Sequence, residues 1–211
     1  MPGSDATASC LLVAPRDLPD PQLDPAASGT ETAATAVLAG GCFWCTEAVF
    51  QQLEGVLQVT SGYAGGEQST ANYRSVCTGT TGHAEVIRVE FDPQRHSFGQ
   101  LLKVFFAVAH DPTQRNRQGA DRGTQYRSAI FPVDAEQQRV AAAYIEQLNA
   151  AGVFRQPIVT TLEPLIAFYP AEDYHQNYAV LNPQQPYVMQ AALPKVAKLE
   201  KAFKEKLRQS Q

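Results

Sequence analysis

The chain has 211 residues, 44% of them hydrophobic, and a formal net charge of −4. That is enough apolar material for one sizeable core, and the length suggests one domain. The acidic balance argues against a nucleic-acid or anionic-membrane surface, and no apolar run approaches the roughly 20 residues that a membrane span needs.

Residues 1–34 are rich in Pro, Ala, Ser, Thr and Asp, as in "LPDPQLDPAASGTETAAT". So many prolines predict a flexible arm without packed elements. The opening "MPGSDATASC" lacks the basic and apolar regions of a secretory signal. The expectation is a reducing, cytoplasmic compartment, where cysteines serve catalysis or metal binding, or are inert, in preference to structural disulfides.

The folded domain is expected over 35–211. It opens with "TAVLA", which reads as a buried strand ending at Gly40-Gly41. A helix follows from Phe43 to Leu53, with Cys45, Val49 and Leu53 on one face. "GVLQVTSGYAGG" reads as a strand running into a glycine loop. "HAEVIRVEFDP" alternates apolar and polar and stops at Asp92-Pro93, so it is a second clear strand. "SFGQLLKVFFAVAHDP" is a helix with Ser97 as N-cap. "TQYRSAIFP" and "PIVTTLEP" are strands on either side of the helix "DAEQQRVAAAYIEQLNAAG", which has Asp134 as N-cap and Gly152 beyond its end. A basic amphipathic helix over about 191–209 ends the chain, packed by Val196, Leu199 and Phe203. No β-α-β repeat runs through these elements, which predicts an α+β fold with helices against one sheet.

The chemistry concentrates in "AGGCFWCTEAVF", residues 39–50, which holds two of the four cysteines and the single tryptophan. Cys42 follows two glycines at the mouth of the first helix. A helix N-terminus lowers a thiol pKa, so this placement suits a nucleophile, and it equally suits a small buried thiol at a strand end. Phe43 and Trp44 could form an apolar cradle beside the sulfur or simply fill the core. Cys45, three residues on, can pair with Cys42 only if the first helical turn unwinds slightly. Otherwise it fills the core beside Val49 and Leu53. Cys77 reads as buried and inert, and Cys10 lies on the arm.

Glu85 begins an apolar strand and alternates with Ile87 and Val89, so its carboxyl is expected to face inward with a raised pKa. There it could donate a proton to a developing oxyanion. The competing reading pairs it with Arg127 or Arg74. Tyr73, Tyr126 and Asp121 lie near glycine turns, and their side chains could hold a substrate oxygen or be structural. Three rival classes remain at this point. "HAE" with "CFWC" mimics a zinc deaminase, but in reversed order and without the proline. A structural zinc module would use Cys42, Cys45, Cys77 and a histidine at spacings that match no usual pattern. A plain Cys-x-x-Cys thiol–disulfide oxidoreductase leaves Glu85 and the tyrosines unexplained.

Taken together, "GCFW", "SGYAGG", "YRSVCTGTTGHAE", "HDPT", "GTQYRSAIF" and "EDYHQNY" resemble the peptide methionine sulfoxide reductase A family over about residues 36–187. The resemblance implies a ferredoxin-like α+β sandwich. It also implies thiol-dependent reduction of methionine S-sulfoxide, free or in proteins, with thioredoxin as the usual reductant and no cofactor or metal. Carried over by position, it makes Cys42 the nucleophile and Glu85 the proton donor. Phe43 and Trp44 hold the substrate methyl group, and Tyr73 and Tyr126 surround the sulfoxide oxygen. Asp121 belongs to the same pocket.

The chain departs from the family in three places. Many members have Gly where Cys45 stands, and Asn is frequent where Ala120 stands. Some members place a resolving cysteine directly after a tyrosine corresponding to Tyr187, where this chain has Val188 and Met189. Cys45 is therefore expected to resolve a Cys42 sulfenic acid. Cys10 and an external thiol are the alternatives.

Overall fold

The computed structural model describes residues 10–26 and 31–208. Strand β1 (Ala34–Gly40) leads into helix α1 (Phe43–Phe50), then β2 (Val56–Ala64). A single helical turn, α2 (Tyr73–Val76), precedes β3 (Ala84–Phe91) and α3 (Phe98–Val104). The short hairpin β4 (Arg117–Gln118) and β5 (Asp121–Arg122) is followed by β6 (Ser128–Phe131) and the long helix α4 (Ala135–Ala150). Strands β7 (Thr161–Leu162) and β8 (Phe168–Pro170) and helices α5 (Tyr178–Leu181) and α6 (Leu193–Ala202) complete the chain.

Six strands form one sheet in the order β7-β6-β1-β3-β2-β8. All neighbours are antiparallel except β6 and β7, so the sheet is mixed. The period-2 pattern of the strands decides which side chains go where. On β1, Ala36 and Leu38 join the large core under the helices, while Val37 and Ala39 face a smaller cluster on the opposite side. On β3, Ile87, Val89 and Phe91 point to the helical side. Residues of α1, α3, α4 and α6 all contribute to that core, so the helices cover one face. The expected two-layer α+β sandwich is the fold observed.

The capping expectations hold. Ser97 Oγ accepts the Gln100 N–H at 3.1 Å, and Asp134 Oδ1 accepts the Gln137 N–H at 2.7 Å. Three elements differ from expectation. α1 ends at Phe50 and is buried on nearly every side, Glu47 included, so it is a core helix and not an amphipathic one. "PIVTTLEP" contributes only two residues of parallel edge strand, because its prolines at 157 and 164 cannot donate to a ladder. α6 stops at Ala202 and is preceded by a wide π turn, Val188–Ala192.

The arm also differs. Residues 10–26 carry almost no regular structure, as the prolines dictate, but they lie against the domain. Leu18 is fully buried, and Leu11 bridges to Phe154. The Tyr144 hydroxyl donates to the Pro19 carbonyl at 2.8 Å, and Asp24 accepts from the Ser97 hydroxyl and from the Gly99 N–H. Prolines withhold N–H donors that a sheet ladder needs, yet the segment's carbonyls and carboxylates can still satisfy donors on helices it crosses. Residues 1–9 and 27–30 of the expected arm lie outside the described residues.

Candidate active site

The turn from β1 into α1 sets the position of the first thiol. Gly41 takes φ +89°, and a Cβ there would meet the Gln118 side chain at 2.6 Å. Only glycine allows this handedness at such close approach. The turn leaves Cys42 at the N-cap of α1 with 8% of its surface exposed, and Cys45 one turn deeper at 2%.

Glu85 stands across from this turn. The antiparallel register places it opposite Tyr63, on the helical face of β3. Its Oε2 accepts the Phe43 N–H at 3.0 Å, so the carboxyl binds a free backbone donor at the start of α1. The residue is buried, and burial pushes its pKa up to about 8, with Asp121 and Cys45 adding to the rise against the lowering bond from Phe43. The carboxyl is therefore protonated at neutral pH. Arg127 is engaged elsewhere, in a two-pronged pair with Glu163 at 2.8 and 2.7 Å, which removes it as the expected partner.

The thiols behave differently from the helix-terminus expectation. Burial drives the Cys42 pKa up, and its own hydrogen bond to Cys45 and the nearby Glu85 drive it further. A two-turn helix offers too little dipole to offset full desolvation. Cys45 moves the other way, down to about 7, chiefly because it receives the Cys42 S–H and because Lys195 lies near. Of the two thiols, Cys45 is the easier to ionise and Cys42 the harder.

The aromatic residues surround this pair unequally. Phe43 is buried and packs at 5.1 Å from His175 and 5.9 Å from Tyr63, ring centre to ring centre. Trp44 is half-buried and stacks on Tyr178 at 3.8 Å with 10° between the planes. The edge of Tyr187 meets it at 5.9 Å. The indole N–H donates to His175 Nδ1 at 3.2 Å, which fixes that ring as the neutral tautomer with its proton on Nε2. Burial keeps the His175 pKa low, consistent with this state.

Tyr73 and Tyr126 are half-buried, and both have raised pKa values. Tyr73 is affected first by burial and then by Cys77, Glu85 and Cys42, whereas Tyr126 is affected by burial, Glu85 and Cys42. Their hydroxyls therefore remain protonated donors beside the thiol and the carboxyl. Asp121 sits at the start of β5 and accepts the Tyr187 hydroxyl at 2.5 Å. The structure thus gathers Cys42, Cys45, Glu85, Tyr73, Tyr126 and Asp121 around one point, with Phe43 and Trp44 forming its apolar wall.

Two cysteine readings are corrected. Cys77 is exposed, because it caps the single turn α2 and only Val76 beside it points inward. Cys10 does not swing on a free arm. Its carbonyl accepts the Arg155 N–H at 2.9 Å, and burial and Asp111 push its thiol up to about 12.

Tyr187, Tyr178, His175 and Glu172 received no role from the sequence. Glu172 holds Tyr63 Oη at 2.8 Å and the Tyr73 N–H at 2.9 Å. The one signal that pointed to Glu172, His175 and Tyr178 was the dense polar and aromatic run "EDYHQNY", which fits neither a strand nor a helix face; Tyr187 lies outside it. Among the described residues no cluster of three or more His, Cys, Asp or Glu is arranged to hold a metal ion. A cavity of about 600 Å³ opens at the far end of α1 between Gln51, Thr60, Gln176 and Arg208, and none of the reactive residues lines it.

A buried thiol pair beside a protonated carboxyl defines a cysteine-based redox enzyme. The family model "Peptide methionine sulfoxide reductase" matches residues 34–207. The chain is 59% identical over 173 residues to a peptide methionine sulfoxide reductase MsrA of Deinococcus radiodurans, covering 82% of this chain and 84% of that one. It is 49% identical to MsrA 2 of Synechocystis, covering 94% of each. Among solved structures, methionine sulfoxide reductase A of Corynebacterium diphtheriae superposes with a TM-score of 0.63 at 36% identity, covering 87% of this chain and 92% of that one. Reduced Mxr1 of Saccharomyces cerevisiae gives 0.65 at 36% identity, covering 75% and 91%. The chain belongs to the peptide methionine sulfoxide reductase family and is an oxidoreductase.

Proposed function

We propose that this chain reduces methionine S-sulfoxide, free or in proteins, through a Cys42 sulfenic acid that Cys45 resolves and thioredoxin recycles. The observation that carries the reading is the convergence of the buried Glu85 carboxyl, bonded to the Phe43 N–H at the start of α1, with the buried Cys42 and Cys45 thiols of the same turn. Trp44 and Phe43 hold the methyl group, and the Tyr73 and Tyr126 hydroxyls hold the oxygen.

As the Cys42 sulfur attacks the sulfoxide sulfur, its proton passes to Cys45, the acceptor already hydrogen-bonded to it. Glu85 gives its proton to the oxygen, which avoids a naked oxyanion in a dry site. Methionine leaves, the oxygen stays on Cys42 as sulfenic acid, and Cys45 is now a thiol. The Cys45 sulfur then attacks the Cys42 sulfur. The S–S bond forms, the S–O bond breaks, and the Cys45 proton leaves with the hydroxyl as water. Thioredoxin returns two hydrogens to the pair, and one proton moves back from Cys45 to Glu85. A reducing cytoplasm is the compartment that suits such a thiol cycle. No helix among the described residues is long and apolar enough to cross a membrane.

Single-turnover methionine release tests the nucleophile. Cys42→Ser should release none, since a hydroxyl is far weaker than a thiolate. Release of one methionine per enzyme by this variant would remove Cys42 from the mechanism.

A further inference from the structure

Tyr187 enters the site from the π turn before α6 and meets three groups at once. Its hydroxyl oxygen lies 3.9 Å from Cys45 Sγ, within reach of the long hydrogen bond that sulfur makes, with Cys45 as the donor whenever it carries a proton. Its own proton goes to Asp121 Oδ2 at 2.5 Å. Its ring edge rests on Trp44, which keeps it from turning away. When Cys45 is a thiol the bonds therefore run in one direction, from Cys45 to Tyr187 to Asp121, and end on a carboxylate half-open to solvent.

The order of events gives this chain a purpose. Before reaction the neighbouring Cys42 thiol favours ionisation of Cys45. Once Cys42 carries oxygen, that thiol proton has moved to Cys45, and the helper that kept Cys45 ionised is gone. Cys45 must lose a proton again before it can attack. The other groups facing it are Lys195, Asp121 and Glu85, and of these only Asp121 is linked to its sulfur through a hydroxyl.

Resting on the proposed Cys45 resolution, we infer that Tyr187 and Asp121 form a proton relay that activates Cys45 for disulfide formation. The Cys45 proton passes to the Tyr187 oxygen as the Tyr187 proton passes to Asp121. The Cys45 sulfur forms the S–S bond with Cys42, the S–O bond breaks, and hydroxide leaves. Asp121 gives up its proton through solvent, hydroxide becomes water, and no outside oxidant or reductant takes part. The role lies in the second half of the reaction, so it separates from the binding of sulfoxide.

The test is rapid-quench kinetics on the full chain with one equivalent of methionine sulfoxide and no reductant. Methionine release is followed beside the mass of the intact protein across pH 6 to 9. Tyr187→Phe keeps the ring edge on Trp44. It should keep the methionine burst within about threefold, while disulfide formation slows about a hundredfold, the low end of what general-base help is worth. The deficit should shrink as rising pH ionises Cys45 without help. Asp121→Asn should slow the same step, since the amide accepts the Tyr187 proton poorly. An unchanged disulfide rate in Tyr187→Phe overturns the relay. Equal slowing of burst and disulfide overturns it too and assigns Tyr187 to the substrate pocket. If wild type itself stops at sulfenic acid, the Cys45 reading fails and the relay fails with it, whereas normal wild-type disulfide with a normal Tyr187→Phe sinks the relay alone.

Discussion

Cys42, Cys45 and Glu85 hang from β1, α1 and β3, the most regular part of the molecule. The partners of Trp44 come instead from residues 172–187, a stretch with only single turns of helix. The first group is placed by sheet register and one helical repeat, so small changes elsewhere leave it in position. The second is pinned by side chains. Glu47 Oε1 accepts the Asn177 N–H at 3.0 Å, Gln176 bonds both ways with the Ser61 backbone at 2.9 and 3.0 Å, and Glu172 ties Tyr63 to Tyr73. Each such tie is worth about 1 kcal/mol, so the wall can be loosened one bond at a time while the sulfurs stay put. On the proposed mechanism the frame carries the bond-making, and the irregular segment shapes what can approach it.

Variants sharpen that division. The largest effect falls on the frame. Cys45→Ser should release one methionine per enzyme and then stall with thioredoxin, while dithiothreitol partly restores turnover and a sulfenic-acid reagent labels Cys42. Full thioredoxin-dependent turnover would leave resolution to an external thiol. Glu85→Gln keeps the shape and removes the proton. The reduction step should slow on the order of 10²–10⁴, with binding less affected. In wild type that step should depend on pH from two sides. Glu85 is protonated below its pKa of about 8, so the acid is lost as pH rises through that value. Cys45 accepts the Cys42 proton only while ionised, so the base is lost as pH falls through about 7. Single-turnover rates should therefore peak between these values, and a rate still rising above pH 9 would exclude Glu85 as donor.

A change in the irregular segment should act more gently and on binding. His175→Ala removes the acceptor that orients the indole. KM should rise roughly three- to tenfold, the worth of one hydrogen bond, with kcat nearly unchanged and a shifted Trp44 fluorescence maximum. A kcat loss as large as that of Glu85→Gln would erase the distinction between frame and wall. Smallest of all, Cys77→Ser should leave turnover within about twofold, because Cys77 is outside the Cys42–Cys45 pair. A loss of more than tenfold without unfolding would bring that exposed thiol into the cycle.

The same division explains what the sequence made legible. Period-2 alternation placed Glu85 on the face of Ile87 and Val89, and the structure puts it there. Caps at Ser97 and Asp134 were readable because they act within four residues. The direction of the Cys42 pKa was not readable. Local placement suggested a helix dipole, while what decides is burial first, then the bond to Cys45, then a carboxyl 43 residues away in the chain. Tyr187 was passed over for a similar reason, since its partners Asp121 and Cys45 are brought together only by the turn before α6. The arm failed differently. Over residues 10–26 proline content correctly excluded α-helices and long strands, but docking by Leu18 and Asp24 depends on grooves that composition does not describe.

The central claim is that Cys42 takes the oxygen and Cys45 expels it. Intact mass after one equivalent of methionine sulfoxide, without reductant, tests it most directly. The pairing of the two thiols predicts one methionine released and a protein lighter by two hydrogens, with Cys42 and Cys45 joined in one peptide after digestion. A protein heavier by one oxygen, with Cys45 still free, would contradict it.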